Sequence, residues 1–215
     1  LGLRTLRKAP DVGTLPRRKN VLDDSLPMYK PVYAQALQLN AYSMYLSGEV
    51  EDPEAYITWL NQINTAEPED MLTIRINSYG GSVASAIQLS SALKNTPAIV
   101  HTSIEGDCCS AATMIFLAGD SMSVAPGARF LIHNYSGGIY GKGHEIHAQA
   151  AFDLKWSLDL LESTYEHFLS KEEIASVANG NDMWMDSEEV IMRCEILKEQ
   201  KEKENGVGKE NEQVI

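Results

Sequence analysis

The chain has 215 residues, 44% of them hydrophobic, which suits one sizeable domain with a full core and excludes a wholly disordered chain. Its formal net charge of −12 argues against general nucleic-acid binding and against adhesion to anionic membranes. No apolar run is long enough to span a bilayer, and three cysteines, two of them adjacent at Cys108 and Cys109, exclude a disulfide framework and point to a reducing, intracellular setting.

Residues 1–40 form a basic, partly irregular arm. Within Leu1–Asn20, Arg4, Arg7, Lys8, Arg17, Arg18 and Lys19 stand against the single acid Asp11, and Pro27 and Pro31 break up the stretch from Val21 to Gln38. The arm lacks the apolar core of a secretory signal, and its scarcity of serine and alanine disfavours an organelle-targeting segment. The domain proper is expected over 41–197. Tyr42–Gly48 has the pattern of a strand, and Asp52-Pro53-Glu54 opens a helix with proline just inside it and Tyr56, Leu60 and Ile63 on one face. Leu72–Ile76 is the next strand, Asn77–Gly81 a turn, Val83–Leu93 a helix and Ala98–Ile104 a third strand. After Glu105–Ser110 the apolar run Ala111–Ala118 suits a buried helix. This alternation predicts an α/β fold with a parallel or mixed sheet.

Two short strands, Ser121–Val124 and Arg129–His133, flank the Pro126-Gly127 turn, and a Gly-rich loop covers Ser136–Gly143. A long helix is expected over His144–Leu169, its stripe formed by Ile146, Ala150, Leu154, Leu158, Leu161, Tyr165 and Phe168. Such a stripe suits packing on a neighbouring subunit as well as a plain core position. Lys171–Ala178 is a shorter helix, and Ser187 opens another with Glu188 and Glu189 in its first turn. From Lys198 to residue 215 the charged, apolar-poor composition predicts a disordered tail.

Ser110 sits at a strand-to-helix junction, where unpaired N–H groups and the helix dipole would favour an alkoxide and an adjacent oxyanion. The plain alternative is a helix cap. A nucleophilic serine needs a base, a carboxylate to orient that base, and N–H donors. Among the five histidines, His133 closes a strand where a Gly-rich loop opens, the position best placed beside a cleft. Asp107, Asp120, Asp182 and Asp186 are all candidate carboxylates, and position does not choose among them. Gly80-Gly81 would let backbone N–H groups approach a ligand closely. His144-Glu145-Ile146-His147 lacks the spacing of the helical zinc motif, so no metal and no cofactor is expected. Cys109 reads as a small buried side chain rather than a thiol nucleophile.

Three ordered motifs carry more than these positions do singly: Asn77-Ser78-Tyr79-Gly80-Gly81-Ser82-Val83, Gly106-Asp107-Cys108-Cys109-Ser110-Ala111-Ala112 and Leu131-Ile132-His133-Asn134-Tyr135-Ser136-Gly137-Gly138. Together with Tyr45–Val50 they resemble the ClpP family, the proteolytic subunit of the ATP-dependent caseinolytic protease. The resemblance covers roughly Tyr42–Val190. It implies a crotonase-like β/α superhelix with a protruding handle helix, and a serine endopeptidase with Ser110 as nucleophile, His133 as base and Asp182 as orienting carboxylate. The N–H groups of Gly81 and Ala111 would form the oxyanion hole. It further implies stacked, seven-membered rings enclosing a chamber, polypeptide substrates delivered by an AAA+ unfoldase, and a cytoplasmic location in a bacterial or phage-infected cell.

Tyr79 stands where the family usually has proline, and Asn134-Tyr135 replaces its usual Gln-Pro, departures that suit a divergent, phage-encoded or otherwise specialised member. Two other classes stay open: a catalytically silent ring subunit of structural or regulatory role, and an acyl-CoA enzyme on the related crotonase fold.

Overall fold

The computed structural model describes residues 40–211; apart from Asn40, the basic arm expected over 1–40 lies outside the described residues, as do residues 212–215 of the tail. The elements in order are β1 (Ala41–Val50), a 3₁₀ turn (Pro53–Tyr56), α1 (Ile57–Thr65), β2 (Met71–Gly81), α2 (Val83–Asn95), β3 (Ile99–Cys109) and α3 (Ala111–Phe116). They continue with β4 (Ser121–Val124), β5 (Arg129–Ile132), α4 (Gly143–Tyr165), α5 (Lys171–Ala178), β6 (Met183–Asp186) and α6 (Ser187–Asn211).

One six-stranded mixed sheet organises the α/β fold. β1, β2 and β3 run parallel, and the outer edge of β3 is shared: β4 pairs with its first half from His101 to Ile104, β5 with its end from Asp107 to Cys109. β6 closes the sheet antiparallel to β5. The central strands are apolar on alternate residues, and Leu72, Ile74, Ile76, Val100 and Ile104 are fully buried. Burying such side chains contributes about 1.5–3 kcal/mol each. Phe130 of β5 packs edge-on against Phe116 of α3, at 5.8 Å between ring centres, and against Phe168 at 5.6 Å. This aromatic cluster seats α3 and β5 on one body.

Several elements depart from their patterns. β2 runs through the expected turn to Gly81, because its irregularity is absorbed as a bulge: pairing with β3 is interrupted after Ile76 and resumes at Ser78 opposite Cys108. In that bulge the Asn77 side-chain oxygen accepts the Asp107 N–H at 3.0 Å. β5 stops one residue before His133, and β6 occupies a stretch that reads as loop. The expected disorder from Lys198 gives way to helix as far as Asn211. Lysine and glutamate are good helix formers, and Glu199 and Lys203 stand one turn apart with their charges 3.9 Å from each other.

α4 buries only Ser157, Leu161 and Tyr165 near its C-terminal end. Four of its large apolar residues, Ile146, Phe152, Leu154 and Leu158, are exposed in this subunit, while Leu160 packs partly buried on the core. The helix protrudes.

Candidate active site

Ser110 follows the last residue of β3 and precedes α3. Its N–H donates to the carbonyl of Leu131 on β5 at 2.8 Å, and its own carbonyl accepts the Thr113 N–H at 2.9 Å. Between these anchors the residue takes φ 57° and ψ −129°, a sparsely populated conformation that costs about 1–3 kcal/mol for a residue with a Cβ. The position is that of a helix cap, yet the Ser110 hydroxyl makes no capping bond. The cap reading therefore leaves the hydroxyl unexplained.

Gly80 presses on this turn from β2. A Cβ there would lie 2.6 Å from the Ser110 Cβ and 2.7 Å from the Cys109 carbonyl, and φ is +96°. Gly81 is equally confined, with a Cβ position 2.3 Å from the carbonyl oxygen of Val50. Ser78, fully buried, holds the segment: its hydroxyl donates to the Gly48 carbonyl at 2.6 Å and accepts the Gly80 N–H at 3.1 Å. Glycine backbone thus lies directly against the serine, and Ala111, at the first position of α3, has an N–H without an intrahelical acceptor.

His133 lies one residue beyond β5. It lines the same cleft as Ser110, together with Ala111, Met114, Tyr135 and Leu161. No other histidine lines this cleft. His101 is held between the hydroxyls of Ser121 (2.8 Å) and Ser123 (3.0 Å), and His144 and His147 lie exposed at the start of α4.

The antiparallel ladder pairs Leu131 with Trp184 and Ile132 with Met183 and ends there; His133 is the first residue after its β5 strand and Asp182 the last before its β6 strand. The other three acids are already engaged. Asp107 forms a two-pronged pair with Arg129 at 2.8 and 2.7 Å, which lowers its pKa through hydrogen bonding. Asp120 accepts the Val100 N–H at 2.8 Å, and Asp186 accepts the Glu189 N–H at 2.9 Å and so caps α6. Asp182 has no hydrogen-bond partner among the described residues. Cys109 is buried, and burial raises its thiol pKa, away from a reactive thiolate.

No hydrogen bond joins Ser110, His133 and Asp182 in this subunit. The cleft between Ser110 and His133 measures about 40 Å³, room for roughly three water molecules. Asn134 and Tyr135, which follow His133, also line it. The Asn134 side chain donates to the Ala178 carbonyl at 3.0 Å, and Tyr135 packs edge-on against Trp156 of α4 at 5.7 Å. The two residues that depart from the resembled pattern thus tie the segment to α5 and α4. Tyr165, expected only as part of the apolar stripe of the long helix, and Thr113, to which the sequence assigned no role, are both buried, and their hydroxyls meet at 2.6 Å. The available signal was a hydroxyl in each of two otherwise apolar helix faces, since buried polar groups need partners.

The strained Ser110 at a strand-to-helix turn and His133 thus line one cleft of an α/β protein. The family model described as Clp protease matches residues 30–193. The match spans most of the chain, and the chain belongs to the Clp protease family. Its coarse functional class is accordingly that of a peptidase.

Proposed function

We propose that the protein is a serine endopeptidase that cuts delivered or unfolded polypeptides inside an oligomeric chamber. The observation that carries the reading is the shared cleft of Ser110 and His133, with the Ser110 hydroxyl left free of any capping role. In the reaction Ser110 Oγ attacks the scissile carbonyl while His133 takes its proton, and Asp182 orients the imidazole. The N–H groups of Gly81 and Ala111 receive the oxyanion. His133 then protonates the leaving amine, and water releases the acyl group by the same route in reverse. Tightening of the three side chains and widening of the cleft accompany substrate binding, as hydrogen bonds in empty sites are often long.

The outward apolar residues of α4 support self-association into stacked rings, with seven subunits to a ring. An AAA+ unfoldase would feed such a chamber, and the subunit itself would bind no nucleotide. The absence of hydrogen bonds among the three side chains favours a second reading, a catalytically silent ring subunit. Hydrolysis of a fluorogenic peptide by the wild type and by Ser110→Ala separates the two. Activity that is lost in Ser110→Ala, with the native mass unchanged, supports the peptidase; activity that Ser110→Ala leaves unchanged overturns it, and an inactive wild-type assembly favours the silent subunit.

A further inference from the structure

The Ser110–Ala111 peptide plane is held by more than the helix backbone. Its carbonyl accepts the Thr113 N–H at 2.9 Å and also the Thr113 hydroxyl at 2.6 Å. A threonine hydroxyl has one hydrogen, so with that hydrogen on the Ser110 carbonyl, the 2.6 Å contact between Thr113 Oγ1 and the Tyr165 hydroxyl requires the phenol to donate. Both residues are buried, Thr113 at 0% and Tyr165 at 4% exposure, where an unmade hydrogen bond is costly. Burial also raises the Tyr165 pKa, so the phenol keeps its proton and remains a donor.

The carbonyl of Ser110 and the N–H of Ala111 belong to one rigid plane and point in opposite directions. Whatever fixes the first aims the second. Tyr165 is the last residue of α4, the helix whose final turns also wall the cleft. We infer that Thr113 and Tyr165 are positioning residues that hold the Ala111 N–H on the oxyanion and couple its aim to the seating of α4. This inference rests on the peptidase reading above and adds to it two side chains that act through the Ser110 carbonyl rather than on its hydroxyl.

The test uses the full chain in its native assembly, with Thr113→Val, Thr113→Ser and Tyr165→Phe beside Ser110→Ala. Native mass and near-UV circular dichroism check that each variant is folded. Deleting an oxyanion donor outright costs about 10²–10³ in kcat; because the Thr113 N–H still holds the carbonyl, Thr113→Val is expected to lose about tenfold. KM stays within about twofold, since the oxyanion bond forms only in the tetrahedral state. A peptide boronate, which mimics that state, weakens by the same factor as kcat/KM. Thr113→Ser restores the rate to within about twofold, and Tyr165→Phe loses about threefold, an intermediate effect on the same path.

Unchanged kcat in Thr113→Val and Tyr165→Phe overturns the inference, as does a loss that Thr113→Ser fails to rescue. If Ser110→Ala abolishes hydrolysis while Thr113→Val leaves it intact, the positioning role alone falls. If hydrolysis survives in Ser110→Ala, the peptidase reading falls and takes the positioning role with it.

Discussion

Replacing Ser110 by glycine should make the protein more stable than replacing it by alanine, although both changes remove the nucleophile. The residue sits at φ 57° and ψ −129°, and nothing in the turn uses its hydroxyl. Alanine keeps the Cβ and therefore the strain, about 1–3 kcal/mol. Glycine relieves that strain but restores about 0.5–1 kcal/mol of unfolded-chain entropy. The net is about 1 kcal/mol in favour of Ser110→Gly, or roughly 2–4 °C in Tm for a chain of this size. Thermal unfolding of the two variants at one protein concentration measures it, since assembly links Tm to concentration. A Ser110→Gly variant that melts at or below Ser110→Ala would refute the claim that the turn stores strain.

Gly80→Ala places a Cβ 2.6 Å from the Ser110 Cβ at φ +96°, and should cost about 2–4 kcal/mol and abolish hydrolysis even where the variant remains folded; near-normal hydrolysis would show that the glycine pair does not support the serine. Arg193 donates to Glu173 at 2.7 and 3.0 Å and, chiefly through those bonds, holds its pKa down at about 2, below the ordinary 4.5. The lowered folded value means that this stabilisation is complete above about pH 4.5 and is lost as pH falls toward 2. Discounted for partial exposure it is about 1 kcal/mol, so urea midpoints of wild type and Glu173→Gln should differ more at pH 7 than at pH 3. Leu154→Asp, on the outward face of α4 where Leu154 is 69% exposed, should separate stacked rings while leaving the subunit folded; native mass spectrometry would report an unchanged mass if α4 plays no part in stacking.

Much of this architecture is legible residue by residue. Lys171–Ala178 is a helix with the boundaries its pattern predicts, since Ser170 and Glu173 form a reciprocal cap at its start. Ser110 at a helix start and His133 at a strand end follow from local breaks in periodicity. What escapes is non-local. β6 has only four residues, too few for alternation to separate it from a loop, so the ladder that joins it to β5 and ends between His133 and Asp182 is invisible in the chain. β2 and β3 outrun their apolar stretches because their ends are stabilised by pairing across a bulge rather than by burial. The Thr113–Tyr165 contact joins residues 52 positions apart, and no local spacing announces it.

The central claim is that Ser110 is a working nucleophile, and it is tested most directly by reaction with a fluorophosphonate probe, read by intact mass and peptide mapping. The expected result is one adduct per subunit, mapped to Ser110, absent in Ser110→Ala and strongly slowed in His133→Ala. A native assembly that takes up no label, or that carries it on another residue, would contradict the claim.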